Sequence, residues 1–148
     1  MFTIDHVRSA LSHCLKRERP GIALEFSGVT NDSRVAKPGE LFVALTTEVR
    51  DGHDFISDAV AHGVSGVILH NAEIPLPDHL WAFVVDDTKH AIAAAARAAG
   101  ARTVRHFDTK EEAVEVLRAT LGPGDVLLVK ASHGLALGVV VDELIGKG

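Results

Sequence analysis

The sequence predicts an α/β fold, and three observations carry that prediction. Short apolar runs of sheet-core length, at residues 41–45, 65–70, 80–85 and 125–130, alternate with stretches whose apolar residues recur at helical spacing. Proline, glycine and Asx clusters punctuate most junctions between them. Strands separated by helices of this length imply right-handed crossovers and a largely parallel sheet with flanking helices. The 148 residues have room for one ordinary domain and a small appendage. A first unit is therefore placed at residues 1–100, with a small βαβα unit at residues 101–148.

Taken in order, residues 3–16 are expected to form a helix. Thr3 is its N-cap, and Ile4, Val7, Leu11 and Cys14 share one face. Lys16, Arg17, Glu18 and Arg19 close it at the negative end of the dipole, and Pro20 and Gly21 end it. Residues 22–29 follow as a strand with roughly alternating apolar positions. Residues 37–40, with Pro38 presetting one dihedral, turn the chain into the strand at 41–45. A helix over residues 55–62 stops at Gly63, and a buried strand occupies 65–70. The two prolines of residues 71–79 mark a surface loop before the strand at 80–85. Asp86, Asp87 and Thr88 then supply an N-cap for a helix over 89–99, where Ala91, Ala95 and Ala99 let it lie close against a sheet until Gly100. In the tail, residues 102–107 are a strand, and Thr109 with Glu112 forms a capping box for a helix carrying Ala113, Leu117 and Leu121 on one face. Gly122, Pro123 and Gly124 end that helix, residues 125–130 are a strand, and Leu137, Val140, Val141 and Leu144 mark a last helix.

Composition narrows the function classes. The chain is 47% hydrophobic and 24% charged, as a soluble globular protein is, and its net charge of −5 leaves no basic field for a nucleic-acid partner. No apolar run approaches the roughly 18 residues of a membrane span. The N-terminal MFTIDHVRSAL lacks a secretory apolar core, so a cytoplasmic location is expected and no membrane partner. The lone cysteine, Cys14, allows neither an internal disulfide nor a CxxC metal knuckle, and its place on the helix stripe makes it a packing residue.

The most informative stretch is residues 28–55, in which a polar turn, a buried strand and a second polar turn follow one another. Its order of pieces, Asp32-Ser33-Arg34, Pro38-Gly39, the run at 41–45 and Asp51-Gly52-His53-Asp54-Phe55, resembles the N-terminal domain of the Mur ligases. These are ATP-dependent enzymes that add amino acids or dipeptides to UDP-MurNAc in bacterial cell-wall synthesis. Thr47 departs from the glycine common in that pattern. The tail, through His106, Phe107, Asp108, Lys110, Glu111, Gly124, Asp125, Lys130 and Ser132, is similar to the C-terminal end of the D-Ala-D-Ala-adding (MurF) branch. Ala131, His133 and Gly138 depart from it.

The resemblance implies a Mur-ligase-like sheet that recognises the uridine end of a UDP-sugar nucleotide. Asn31 then offers an amide to a uracil edge, Ser33 a hydroxyl, and Arg34 a fork for phosphate oxygens, with Asp32 in the same turn. Thr46, Thr47 and Glu48 leave the strand's carboxyl end, where open α/β sheets bind ligands, and His53 stands in the following turn. Between the two resembling segments, where the family carries a Gly-rich loop ending in GK[ST] for ATP, Gly100 leads directly to Arg102 and the tail. The expectation is therefore a non-catalytic module with no catalytic residues, no metal and no cofactor. Two alternatives stay open: a structural module that assembles as a homodimer, and a partial ligase completed in trans by a Mur-pathway protein bearing the ATPase.

Simpler readings apply to the same residues. Asp32 and Ser33 suit an Asx turn with Arg34 in a surface ion pair. Asp51, His53 and Asp54 suit turn formation and capping better than a metal site. Lys130, Ala131, Ser132, His133 and Gly134 form a strand-to-helix turn that is structural or holds an anion.

Overall fold

Thr3 is both the end of a strand and the start of a helix. Its hydroxyl accepts from the His6 main chain while the His6 ring accepts from the Thr3 N–H, a reciprocal cap that opens α1 (Ile4–Leu11) directly after β1 (Phe2–Thr3). The structure, a computed structural model, describes residues 1–102, 105, 107, 109–127 and 138–146. It divides into two units, Met1–Arg105 and His106–Gly148.

The first unit is built on a five-stranded sheet of order β2 (Leu15–Arg19), β7 (Trp81–Val85), β6 (Gly66–Leu69), β5 (Leu41–Val43), β4 (Val29–Thr30). β4 to β7 run parallel, and only β2 is antiparallel, on the β7 edge. β1 pairs separately with β3 (Glu25–Phe26). The central strands read as continuous apolar runs because both faces are covered. From β5, Leu41 and Val43 enter one cluster with Val7 and Leu11 of α1 and with Ala91 and Ala95 of α3 (Thr88–Ala98). Phe42 and Ala44 enter the other, with Ile56 and Ala59 of α2 (Ile56–Ala61). These three strand residues and Ala44 just after them are essentially inaccessible, and the burial of each large side chain contributes roughly 1.5–3 kcal/mol. Cys14 packs half-buried against the first cluster, and that burial raises its thiol pKa.

Several expectations hold: the mixed α/β, mostly parallel sheet with flanking helices, the Thr3 and Asp87 caps, and Gly63 and Gly100 at positive φ after their helices. Two do not. The helix expected through residue 16 ends at Leu11, and the charged segment expected to close it is strand β2. The free edge of β7 overrides local helical pattern, and an edge strand tolerates the charges that a central one would not. Arg8 of α1 grips Glu18 with Nε and Nη2, and Arg19 donates to the Leu76 and Pro77 carbonyls, so those charges staple the edge. The strand expected over residues 22–29 is only β3 and β4, with Ile22 and Leu24 turned out to solvent. Phe26 is the fully buried residue of that stretch, set between Phe2 and Phe83 with Ala23 and Val29 packed partly buried against the same cluster, and Gly66 makes room where a Cβ would lie 2.8 Å from the Phe26 ring.

The second unit contains α4 (Lys110–Thr120) and α5 (Gly138–Leu144). Thr109 caps α4 by accepting from the Glu112 N–H, and Arg118 donates to the Glu143 carbonyl at 2.6 Å. Val114 and Val140 are buried among the described residues of this unit. Of the strands expected at 102–107 and 125–130, residues 102, 105, 107 and 125–127 are not in strand, and residues 103–104, 106 and 128–130 lie outside the described residues, as does the 130–134 turn. No helix among the described residues is long and apolar enough to cross a membrane.

Candidate functional site

Four parallel strands deliver their carboxyl ends to one edge of the sheet. β4 leads into the turn at residues 31–35, β5 into the turn at 46–55, β6 into His70 and Asn71, and β7 into Asp86 and Asp87. The chain leaving β5 passes to the face covered by α2, whereas the chain leaving β7 passes to the opposite face as α3. Exits to opposite faces leave a crevice between them, the usual ligand position in an open α/β sheet. A groove of about 400 Å³ lies there, lined by Thr46, Thr47, Glu48, His70, Asp86, Asp87, Thr88 and Lys89.

The β5 turn is locked before any ligand arrives. Thr46 donates its hydroxyl to Asp51 and its main-chain N–H to the Thr88 hydroxyl, tying the turn to the start of α3. Thr47 accepts from the Arg50 N–H and donates to the Arg50 carbonyl, so its hydroxyl closes the turn upon itself. Gly52 lies against β5, donating to the Leu45 carbonyl at 2.9 Å, and a Cβ there would come within 2.4 Å of the Leu45 nitrogen. His53 is buried at 8% exposure. Its Nδ1 donates to Asp51 Oδ1 at 2.6 Å, and its Nε2 accepts from the main-chain N–H groups of His70 and Asn71. That pattern puts the ring proton on Nδ1 and makes His53 a strut from the β5 turn to the end of β6. The His53 main-chain and side-chain hydrogen bonds hold the Asp51 carboxyl down to about 2.

The β4 turn is a short 3-10 segment, Ser33–Val35, capped by Asp32. Asp32 accepts from the Arg34 N–H and also takes the Arg34 guanidinium, Nε at 2.8 Å and Nη2 at 2.7 Å. Asn31 and Arg34 are exposed and Ser33 is buried, its hydroxyl bonded to none of the described residues. The structure thus brings Thr46, Thr47 and Glu48 into the groove, sets Asn31, Asp32, Ser33 and Arg34 on the neighbouring turn of the same edge, and puts His53 behind the groove wall. Sequence reasoning missed His70, Thr88 and Lys89 as groove residues and gave Asp86 and Asp87 only a capping role. The rule that pointed to 46–48, polar residues just past an apolar strand, would have found most of them.

Chemically, Glu48, Asp86 and Asp87 make the groove a set of acceptors for hydroxyl or imide donors, with Lys89 as the cation lining it. Among the described residues no cluster of histidine, cysteine and carboxylate side chains is arranged to hold a metal ion.

The family model described as Mur ligase family, catalytic domain, matches residues 25–131. A UDP-N-acetylmuramoyl-L-alanyl-D-glutamate--2,6-diaminopimelate ligase of Chlorobium phaeobacteroides is 38% identical over 76 residues, 51% of this chain and 15% of that protein. The UDP-N-acetylmuramoyl-tripeptide--D-alanyl-D-alanine ligase of Escherichia coli K12 is 37% identical over 81 residues, 55% of this chain and 17% of that protein. A crystal structure of MurF from Acinetobacter baumannii superposes with a TM-score of 0.52 at 28% identity, over 64% of this chain and 20% of that one. The chain therefore spans under a fifth of the curated relatives it matches. With that family model covering most of its 148 residues, this chain belongs to the Mur ligase family.

Proposed function

We propose that the chain is a binding module for UDP-MurNAc-type cell-wall precursors, with the nucleoside end in the groove at the carboxyl edge of β5, β6 and β7. The observation that carries this reading is the groove itself, preformed by the Thr46 to Thr88 tie and the Thr47 to Arg50 turn. A site ordered before binding loses less entropy on binding. Glu48 and Asp86 accept from ribose hydroxyls, and Asn31 and Ser33 supply the uracil contacts. Arg34, shared with Asp32, and Lys89 face the diphosphate. The relatives named above act on UDP-N-acetylmuramoyl peptides, which supports this ligand class. These 148 residues carry no GxxxxGK[ST], so ligation by them alone is not part of the proposal.

Calorimetric titration with a UDP-MurNAc-peptide, UDP and uridine tests it. Saturable binding is expected, weakened about tenfold by Ser33→Ala and by Glu48→Ala, in line with the loss of one hydrogen bond to a ligand. No heat at millimolar ligand overturns it. Self-association is a second reading, favoured by the exposure of Ile22 at 78% and Leu24 at 86%. A monomer by sedimentation velocity at high concentration removes it.

A further inference from the structure

The groove at the carboxyl edge of the sheet is lined by the carboxylates of Glu48, Asp86 and Asp87 against one ammonium, that of Lys89. A diphosphate esterified at both ends is a dianion, and its approach to such a wall is opposed unless the groove gains positive charge. The remaining titratable side chain of the lining is His70, exposed at the end of β6. Histidine is the side chain that can supply that charge near neutral pH.

The network around His70 decides which of its nitrogens takes a proton. Its ring stands edge-on to that of His53, centroids 4.2 Å apart, and its Nδ1 lies 3.5 Å from the Thr46 hydroxyl oxygen. Thr46 spends its hydroxyl proton on Asp51, so towards His70 that oxygen can only accept. The neutral ring therefore carries its proton on Nδ1. Nε2, hydrogen-bonded to none of the described residues, is left as the basic nitrogen, and protonation there turns it from an acceptor into a donor.

The neighbouring titratable groups are committed differently. On the β5 turn, Asp51 is taken by Thr46 and His53, and His53 Nε2 is filled by the main-chain N–H groups of His70 and Asn71. At the start of α3, Asp87 accepts from the Lys89 N–H at 2.8 Å and from the His90 ring at 2.9 Å. Glu48, Asp86 and Lys89 line the groove with His70 and keep their charges across the range in which histidine changes its own.

We infer that His70 takes up a proton from solvent at Nε2 when a diphosphate-bearing ligand enters the groove, and donates it in a hydrogen bond to a diphosphate oxygen. The inference rests on the nucleotide reading of that groove and adds its regulation, with binding tightening as pH falls through the histidine range.

Calorimetry on the full chain near pH 7, in two buffers of different ionisation enthalpy, counts the protons taken up on binding. The ligands are a UDP-MurNAc-peptide, whose doubly esterified diphosphate lacks the second phosphate ionisation near pH 6, and uridine, which carries no phosphate. Uptake is expected with the first and none with the second. Affinity for the first should rise about tenfold between pH 8 and pH 5.5 while that for uridine stays level, a tenfold change being one pH unit of linked titration. His70→Gln keeps a donor amide and cannot titrate, so it should abolish the uptake and flatten the profile with uridine affinity retained. His90→Gln should leave the uptake in place. In the unmutated chain the His70 ring Cε1–H resonance should move its titration midpoint upward on adding the UDP-MurNAc-peptide, a readout that needs no variant to fold. Uptake unchanged in His70→Gln, or UDP-MurNAc-peptide bound without uptake and with a level pH profile, overturns the inference and leaves the nucleotide reading standing. No heat with either ligand overturns both.

Discussion

The two turns at the sheet's carboxyl edge carry equally recognisable motifs and are held in opposite ways. The turn after β4 closes on itself at the surface: Asp32 takes both the main chain and the guanidinium of Arg34, whose side chain stays 76% exposed. The turn after β5 closes on the interior, with Gly52 pressed against Leu45 and the His53 ring bridging Asp51 to the end of β6. The difference separates residues that hold the site from residues that serve it. Asp51, Gly52 and His53 are consumed in holding. Ser33, Glu48 and Lys89 make no side-chain hydrogen bond to any described residue, and under the function proposed above they are the side chains left for the ligand.

Breaking the inner latch should produce the largest effect. In Gly52→Ala the new Cβ meets only backbone atoms, the Leu45 nitrogen at 2.4 Å, the Leu45 oxygen at 2.6 Å and the Ala44 carbonyl carbon at 2.7 Å. No flexible side chain can yield, so β5 or the turn must shift, and the expected loss is about 3 kcal/mol. Urea denaturation should show it, together with a fall in thermal midpoint of about 10–20 °C. A loss under about 1 kcal/mol would mean that the β5 turn is as loosely attached as the β4 turn, and the contrast would fail.

The outer turn should respond less. Asp32→Ala removes a cap and a surface ion pair, for which about 1 kcal/mol is expected, nearly all of it from the cap. The same denaturation measurement ranks the two variants. A loss in Asp32→Ala equal to that in Gly52→Ala would place the two turns in one class.

What the sequence showed and what it hid follow the same division. β5 to β7 and the helices α2 and α3 were legible, because strands buried on both faces must be apolar throughout and their glycine and Asx boundaries mark the ends. β2 was not. Leu15, Lys16, Arg17, Glu18 and Arg19 carry no strand pattern, and their conformation comes from pairing with β7 and from partners in α1 and the 71–79 loop. Ile22 and Leu24 misled in the other direction, since alternation alone does not say that a face is covered. At the site, the turns at 31–34 and 46–48 could be located from their motif. The role of His53 as a strut was hidden, because its acceptor Nε2 pairs with main-chain N–H groups of His70 and Asn71 that no side-chain pattern reveals.

The smallest expected effect tests the latch through pH. Asp51 is held at about 2 by the His53 main-chain and side-chain hydrogen bonds, against an unfolded-state value of about 3.9. The folded value is the lower one, so the unfolded chain takes up the proton first. The contribution to stability is complete above about pH 5 and is lost as pH falls through about 2. Fully buried, a shift of that size would correspond to more than 2 kcal/mol. The Asp51 side chain is 48% exposed, and solvent screening reduces the expectation to about 1 kcal/mol or less. Asp51→Asn keeps an acceptor oxygen and cannot titrate, so the difference between wild type and variant isolates this carboxyl from every other acid in the chain. Denaturant midpoints between pH 6 and pH 2 should therefore converge, the wild type losing its advantage as the carboxylate protonates. Parallel curves over that range would show that the hydrogen bonds from His53 add nothing, and the inner turn would then rest on Gly52 packing alone.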